Sequence, residues 1–278
     1  MKKVYSLLSW NIEHLGGFGD SNFEQRLARV TGEIKKADPD VFALYEVEGK
    51  EVFGKLVNIF PGYSFHITEG PQVQEILVGV RGGITSFFTQ RVEFKSGNHL
   101  LRPGALLTLD INGEEYPILF LHLKSFDNPR GFGLRDDMLS KAIKFAGVLK
   151  RGDKPANYLF IGDLNTMGLN YYFDRDIPPD TELKKSDIYA KRYYDMIRLE
   201  KTYPFTWSNG SSSSYPPANL DHCYAAGHLQ FKMFTNKDRV GQSPIDVCGW
   251  VDEHQSSKQD KWIKDYSDHA YLYLEIMK

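Results

Sequence analysis

The chain has 278 residues, 41% hydrophobic and 25% charged, the composition of an ordinary globular protein with a sizeable core. Its net charge of −2 excludes a protein that coats nucleic acid nonspecifically, because such binding rests on clustered Lys and Arg. It does not exclude an enzyme that holds a few phosphates beside a metal ion. Cys223 and Cys248 make one disulfide arithmetically possible but no disulfide framework. No apolar run approaches the ~20 residues of a membrane span, and the residues after Met1 lack a signal-peptide core, so the expected location is cytoplasmic.

Val4 to Trp10 reads as the first strand, leading into Asn11-Ile12-Glu13, and Gly16-Gly17-Phe18-Gly19-Asp20 breaks it. Apolar spacing at Phe23, Leu27, Val30 and Ile34 predicts a helix over 23–37, ended by Asp38-Pro39-Asp40. Val41 to Tyr45 is a buried-strand run with Glu46 directly after it, and a short helix is expected over 51–59. Ile76 to Val80 and Ile84 to Phe88 read as strands of a hairpin that turns at Arg81-Gly82-Gly83. Ala105 to Ile111 and Tyr116 to Leu121 flank Asn112-Gly113, a strong hairpin signal, and His122-Leu123-Lys124 follows.

The pattern from Leu134 to Leu149 predicts a helix, closed by Arg151-Gly152-Asp153. Leu159 to Asp163 is an apolar strand ending in an acid, with Asn165 two residues on. In an extended chain those two side chains share one side; an Asx-turn is the alternative. Residues 167–204 are polar and irregular with a helix near 186–199, and 208–217 is a loop inside the domain. Asp221-His222 follow Leu220, and Ser267-Asp268-His269 precede a closing strand over 270–276. With no repeat or heptad, the alternation predicts one mixed α/β domain over residues 1–278.

Acids, amides and histidines thus recur at strand ends, where open α/β sheets place their ligand crevices. Ser9-Trp10-Asn11-Ile12-Glu13, Tyr45-Glu46-Val47, His122-Leu123-Lys124, Gly162-Asp163-Leu164-Asn165-Thr166, Asn219-Leu220-Asp221-His222 and Ser267-Asp268-His269 together resemble the successive motifs of the endonuclease/exonuclease/phosphatase (DNase I-like) superfamily. The resemblance implies a four-layer α/β sandwich with two central mixed β-sheets flanked by helices. It also implies metal-dependent phosphoester hydrolysis, with Mg2+ as the usual ion and Mn2+ as a substitute.

Phosphoester hydrolysis needs a cation on the phosphate oxygens, an activated water and a steadied leaving group. Glu46 is the leading metal-ligand candidate, followed by Glu13 and Asp221. The resemblance assigns Asp163 and Asn165 to the attacking water and scissile phosphate, and Asn11 to the phosphate or to orienting an acid. Asp268 would fix the His269 imidazole, which binds phosphate or acts as a base, and His122 would protonate the leaving group. His222, on the opposite face of an extended strand, is left out, as are His14, His66, His99, His228 and His254.

Departures narrow the substrate. Tyr45 stands where many members have Gln, and the apurinic-endonuclease and inositol-phosphatase signatures are absent. Lys124, Arg130 and Arg135, interleaved with Phe126 and Phe132, form a candidate basic and aromatic surface, Lys124 and Arg130 being the substrate-binding candidates. The expected function is a metal-dependent phosphodiesterase, first a nuclease acting on DNA ahead of RNA. The alternatives are a phosphomonoesterase or phospholipase-like hydrolase, and below them a non-catalytic binding module on the same fold. No protein partner is implied.

Overall fold

The computed structural model describes residues 1–17, 22–173 and 175–278. Strands β1 (Lys3–Leu15), β2 (Val41–Glu48), β3 (Tyr63–Ile67) and β4 (Gln74–Arg81) come first, with helices α1 (Phe23–Ala37) and α2 (Lys50–Ile59) among them. Then follow β5 (Thr85–Arg91), β6 (Gly104–Ile111), β7 (Glu114–His122), α3 (Pro129–Val148), β8 (Leu159–Asp163), α4 (Pro179–Tyr194), β9 (Met196–Arg198) and β10 (Asp221–Ala226). The last part holds β11 (Gln230–Phe231), β12 (Phe234–Thr235), β13 (Gln242–Ser243), β14 (Asp246–Cys248), α5 (Ser256–Asp265) and β15 (Tyr271–Met277). Of the break expected over 16–20, Phe18 to Asp20 lie outside the described residues.

Two compact units divide the chain: residues 1–84, 200–219 and 230–278 form the first, and 85–199 with 220–229 the second. The first unit's sheet runs β11-β15-β1-β2-β4-β3, with β14 also on β15. Strands β1 and β2 are parallel, so their carboxyl ends lie side by side. Helix α1 buries Leu27, Val30 and Ile34, its one apolar stripe, in a core with Leu8, Trp10, Phe42 and Leu44. Trp10 also stacks on Trp262 of α5, with ring centroids 5.8 Å apart.

The second unit's sheet runs β5-β6-β7-β8-β10-β9. Asn112 and Gly113 both take positive φ, 56° and 77°, the conformation that a two-residue primed hairpin turn requires between β6 and β7. Strands β7 and β8 are parallel and β8 and β10 antiparallel. Met138, Leu139 and Ile143 of α3 bury against Leu121, Phe160 and Tyr224.

Three expectations need correction. The hairpin at Arg81-Gly82-Gly83 does not form: β4 pairs with β2 and β3, whereas β5 pairs with β6 in the other sheet. Ile76 to Val80 are buried along their whole length, and a neighbour on each side satisfies such a strand as one hairpin partner cannot. Helix α3 begins at Pro129, five residues before the expected start, because the Asn128 side chain accepts from the Gly131 N–H as an N-cap and Pro129 fits the first turn. Helix α4 likewise starts on Pro179 and ends at Tyr194, leaving 196–198 to β9. Among the described residues no helix is long and apolar enough to cross a membrane.

Candidate active site

In the first unit the polar residues gather where β1 and β2 end. Asn11 lies opposite Tyr45 in the parallel register, and its Nδ2 donates to Glu46 Oε1 over 3.1 Å. Gln74 Nε2, on β4, donates to Glu46 Oε2 at 2.8 Å. Two uncharged amides therefore orient the carboxylate. The pairing of β1 with β2 shifts register between Asn11 and Leu15, and that of β2 with β4 between Tyr45 and Val47. At these bulges Glu13, His14 and Glu46 adopt left-handed φ of 45°, 51° and 61°. Such a conformation costs a non-glycine residue about 1 kcal/mol or more, and it re-aims the side chains out of the strand alternation.

Glu13 is turned toward the chain's last motif. Its Oε2 accepts from the Asp268 N–H at 3.2 Å, and burial followed by the Asp268 charge raises its pKa, against the pull of Arg26 and His269. Ser267 donates its hydroxyl to the Asn11 carbonyl at 2.7 Å and accepts from the His269 N–H at 3.0 Å, tying this motif to β1. Asp268 Oδ2 accepts from Trp207 Nε1 at 2.6 Å, while its Oδ1 lies 3.9 Å from His269 Nε2. That separation is within ion-pair range and too long for a hydrogen bond.

Sequence reasoning missed three residues here. Gln74 and Trp207 carry no local signal, since each reaches its acid across a long sequence gap. His14 has no supporting context in the sequence, yet its Nε2 lies 3.3 Å from Glu46 Oε2 and its Nδ1 2.5 Å from Glu48 Oε1. Burial lowers its pKa, but Glu48, Glu46 and Glu13 outweigh that and raise it.

In the second unit the candidates form a row across three strands. His122 pairs with Asp163, and Asp163 with Asp221, so the three side chains occupy one register position on β7, β8 and β10. All are buried, at 4%, 2% and 2% exposure, and His122 Nε2 stands 3.5 Å from Asp163 Oδ2. Asn165 does not continue the strand alternation: its φ is 50°, its N–H donates to Asp163 Oδ1 at 2.9 Å, and its Nδ2 donates to the Leu123 carbonyl at 3.2 Å. The Asx-turn alternative describes it, and the same-side argument for Asp163 and Asn165 fails. His222 pairs with Gly162 and meets the Thr166 hydroxyl at 2.9 Å, one residue out of step with the row.

The basic loop also changes. Lys124 is half-buried with its Nζ 4.4 Å from the centre of the Phe126 ring, and Arg130 is exposed. Burial, then the charges of Arg102 and Arg130, lower the Lys124 pKa. Arg135 is not part of a surface: it is 0% exposed, and its Nε donates to Glu182 Oε1 at 2.6 Å.

No family model matches the chain, and no curated protein sequence does. Solved structures do. TDP2 from D. rerio, crystallised with a single-strand DNA product, aligns with a TM-score of 0.68 at 16% identity over 99% of each chain. A truncated Caenorhabditis elegans TDP2 aligns at 0.66 and 16% identity, over 99% of this chain and 98% of that one. A mannosyl-6-phosphatase from Bacteroides thetaiotaomicron aligns at 0.62 and 14% identity, over 99% and 100%. With its two large mixed sheets and five helices among the described residues, the chain has the α/β fold of these structures, the DNase I-like fold expected from the sequence.

Proposed function

We propose that the chain is a divalent-metal-dependent phosphodiesterase, a nuclease whose favoured substrate is DNA. The observation that carries this reading is the concentration of acid, amide and imidazole groups at strand ends in each unit: buried Asn11 with partly buried Glu46, and the buried row His122, Asp163, Asp221. Burying such groups is costly unless they are used or fully satisfied, and strand ends are where open α/β sheets place their ligand crevices. The shared fold with TDP2, solved with a DNA product, favours DNA over RNA. On this reading residues 1–278 work as one cytoplasmic catalytic domain.

The donor chemistry fits a hard cation. Glu46 and Glu13 in the first unit and Asp221 in the second offer carboxylate oxygens, which suit magnesium, with manganese as a substitute. Glu46 is the best prepared, since two neutral amides hold it; Glu13 already accepts from Asp268. A bound ion would draw charge from the phosphate oxygens. The residues do the remainder. Asn11 orients Glu46, and Asp163, fastened by the Asn165 N–H, takes the proton of the attacking water. His122 gives a proton to the leaving oxygen. His269 binds a phosphate oxygen, with Asp268 held by Trp207 as its anionic neighbour. Lys124 and Arg130 attract the phosphate backbone.

A phosphomonoesterase is the second reading, favoured by the likeness to a mannosyl-6-phosphatase. A panel of labelled DNA, RNA, a sugar phosphate and a phospholipid headgroup ester, each with magnesium or EDTA, separates the two. Magnesium-dependent cleavage of DNA above all others is expected. Turnover of the sugar phosphate alone would move the assignment to the second reading, and turnover of nothing would favour a binding module.

A further inference from the structure

Arg135 has all five of its N–H groups engaged. Nε and Nη2 donate to the two oxygens of Glu182, at 2.6 and 3.0 Å, as a bidentate fork. Nη1 donates to the carbonyls of Lys124, at 3.2 Å, and Phe126, at 2.9 Å. The remaining Nη2 proton reaches the Gly168 carbonyl at 2.8 Å, while Glu182 Oε2 also accepts from the Gly168 N–H at 2.8 Å. One buried guanidinium on α3 therefore ties down the loop after β7 and the loop after β8 together.

What it holds is strained. Phe126 has φ of 80°, an outlier for a bulky side chain, and the residue is 58% exposed with the Lys124 ammonium over one face of its ring. The backbone here also approaches α3 closely: a Cβ on Gly131 would lie 2.5 Å from the Phe126 carbonyl oxygen and 2.7 Å from that of Ser125. The second loop is joined to the first by the Asn170 N–H, which donates to the Asp127 carbonyl at 2.7 Å. It displays Tyr172 at 91% and Phe173 at 82% exposure. A free loop would relax such a φ and fold its rings away; exposed aromatics beside cations instead suit bases stacked out of a helix, with phosphates between them.

We propose that Arg135 is a positioning residue, holding the loops after β7 and β8 so that Phe126, with Lys124 above it, forms a stacking platform for single-stranded nucleic acid. The proposal rests on the nucleic-acid reading above and names its substrate class as unpaired strands.

Binding of a fluorescent single-stranded oligonucleotide to the full chain in EDTA tests it without turnover. Phe126→Ala is expected to weaken binding about fivefold or more, the usual loss for one stacked base. Arg135→Lys keeps the charge but loses the fork, and should match that loss while adding little in the double variant, because both changes remove the same platform. A role in stability alone would lower Tm and leave the affinity of the folded variant untouched. If Arg135→Lys fails to fold, Glu182→Gln replaces it with the same expectation, and Phe126→Ala, at the surface, is independent of folding. Wild-type affinity in either variant, fully additive losses, or a wild-type chain that prefers duplex would overturn the platform. A chain that binds single strands yet hydrolyses nothing would instead overturn the phosphodiesterase reading and leave the platform standing.

Discussion

Asn11 shows how much a single amide carries. It donates to Glu46, accepts from the Glu13 N–H at 3.1 Å through Oδ1, and offers its carbonyl to Ser267. Asn11→Ala leaves the Glu46 carboxylate with one amide fewer and the Glu13 N–H without its acceptor. We expect kcat/KM to fall roughly 10- to 100-fold, as for partners that orient metal ligands, with a stability loss of about 1–3 kcal/mol. A steady-state assay and a thermal melt on the same preparation check both figures. A residue with no chemistry gives the pH prediction. Burial opposes ionisation of Asp40, but the bonds from Lys3 and Ser6 outweigh it and hold its pKa below the ordinary range. A depressed carboxylate stabilises the fold above its unfolded value, near 4, and that contribution is lost as pH falls through the folded value. Asp40→Asn should therefore flatten the acid limb of the stability profile below about pH 4; an unchanged limb in urea titrations at stepped pH would count against the assignment.

At the scale of elements, α3 and α4 are joined by two ion pairs of very different worth. Arg135 with Glu182 is buried, while Lys185 meets Asp136 at 2.9 Å with both side chains substantially exposed. Removing one partner of the buried pair strands a charge, so Glu182→Ala is expected to cost about 3–5 kcal/mol. Asp136→Ala should cost at most about 1 kcal/mol, since water screens it. Chemical denaturation of the two variants side by side checks the order as well as the sizes. Elements are also where the sequence was most and least legible. The α1 boundaries and the Asn112-Gly113 hairpin followed from local rules, because an apolar stripe and a primed turn are decided within a few residues. The partner of β4 was not legible, because strand pairing is settled by residues far along the chain. The strand ends Glu46, His122 and Asp163 were readable as a pattern of apolar runs stopping at polar groups. Glu46 and Asn165, however, owe their direction to left-handed backbone that no periodicity foretells. Arg135 misled for a related reason: an arginine flanked by aromatics reads as surface until its five acceptors, drawn from separate segments, are seen.

For the whole molecule, a nearly neutral chain of 278 residues carries two large sheets among its described residues, each with its own cluster of polar groups at strand ends. Under the proposed function Glu46 offers the carboxylate for the cation and Asp163 takes the proton of water, so activity is expected to need both side chains. The most direct measurement is cleavage of labelled DNA in magnesium by the wild-type chain, Glu46→Gln and Asp163→Asn, each confirmed folded by circular dichroism. Cleavage by the wild type that EDTA abolishes is expected, with a loss of about 100-fold or more in each variant, as when a principal ligand or general base is removed. Cleavage that persists in EDTA, or in either variant at the wild-type rate, would contradict the proposed function.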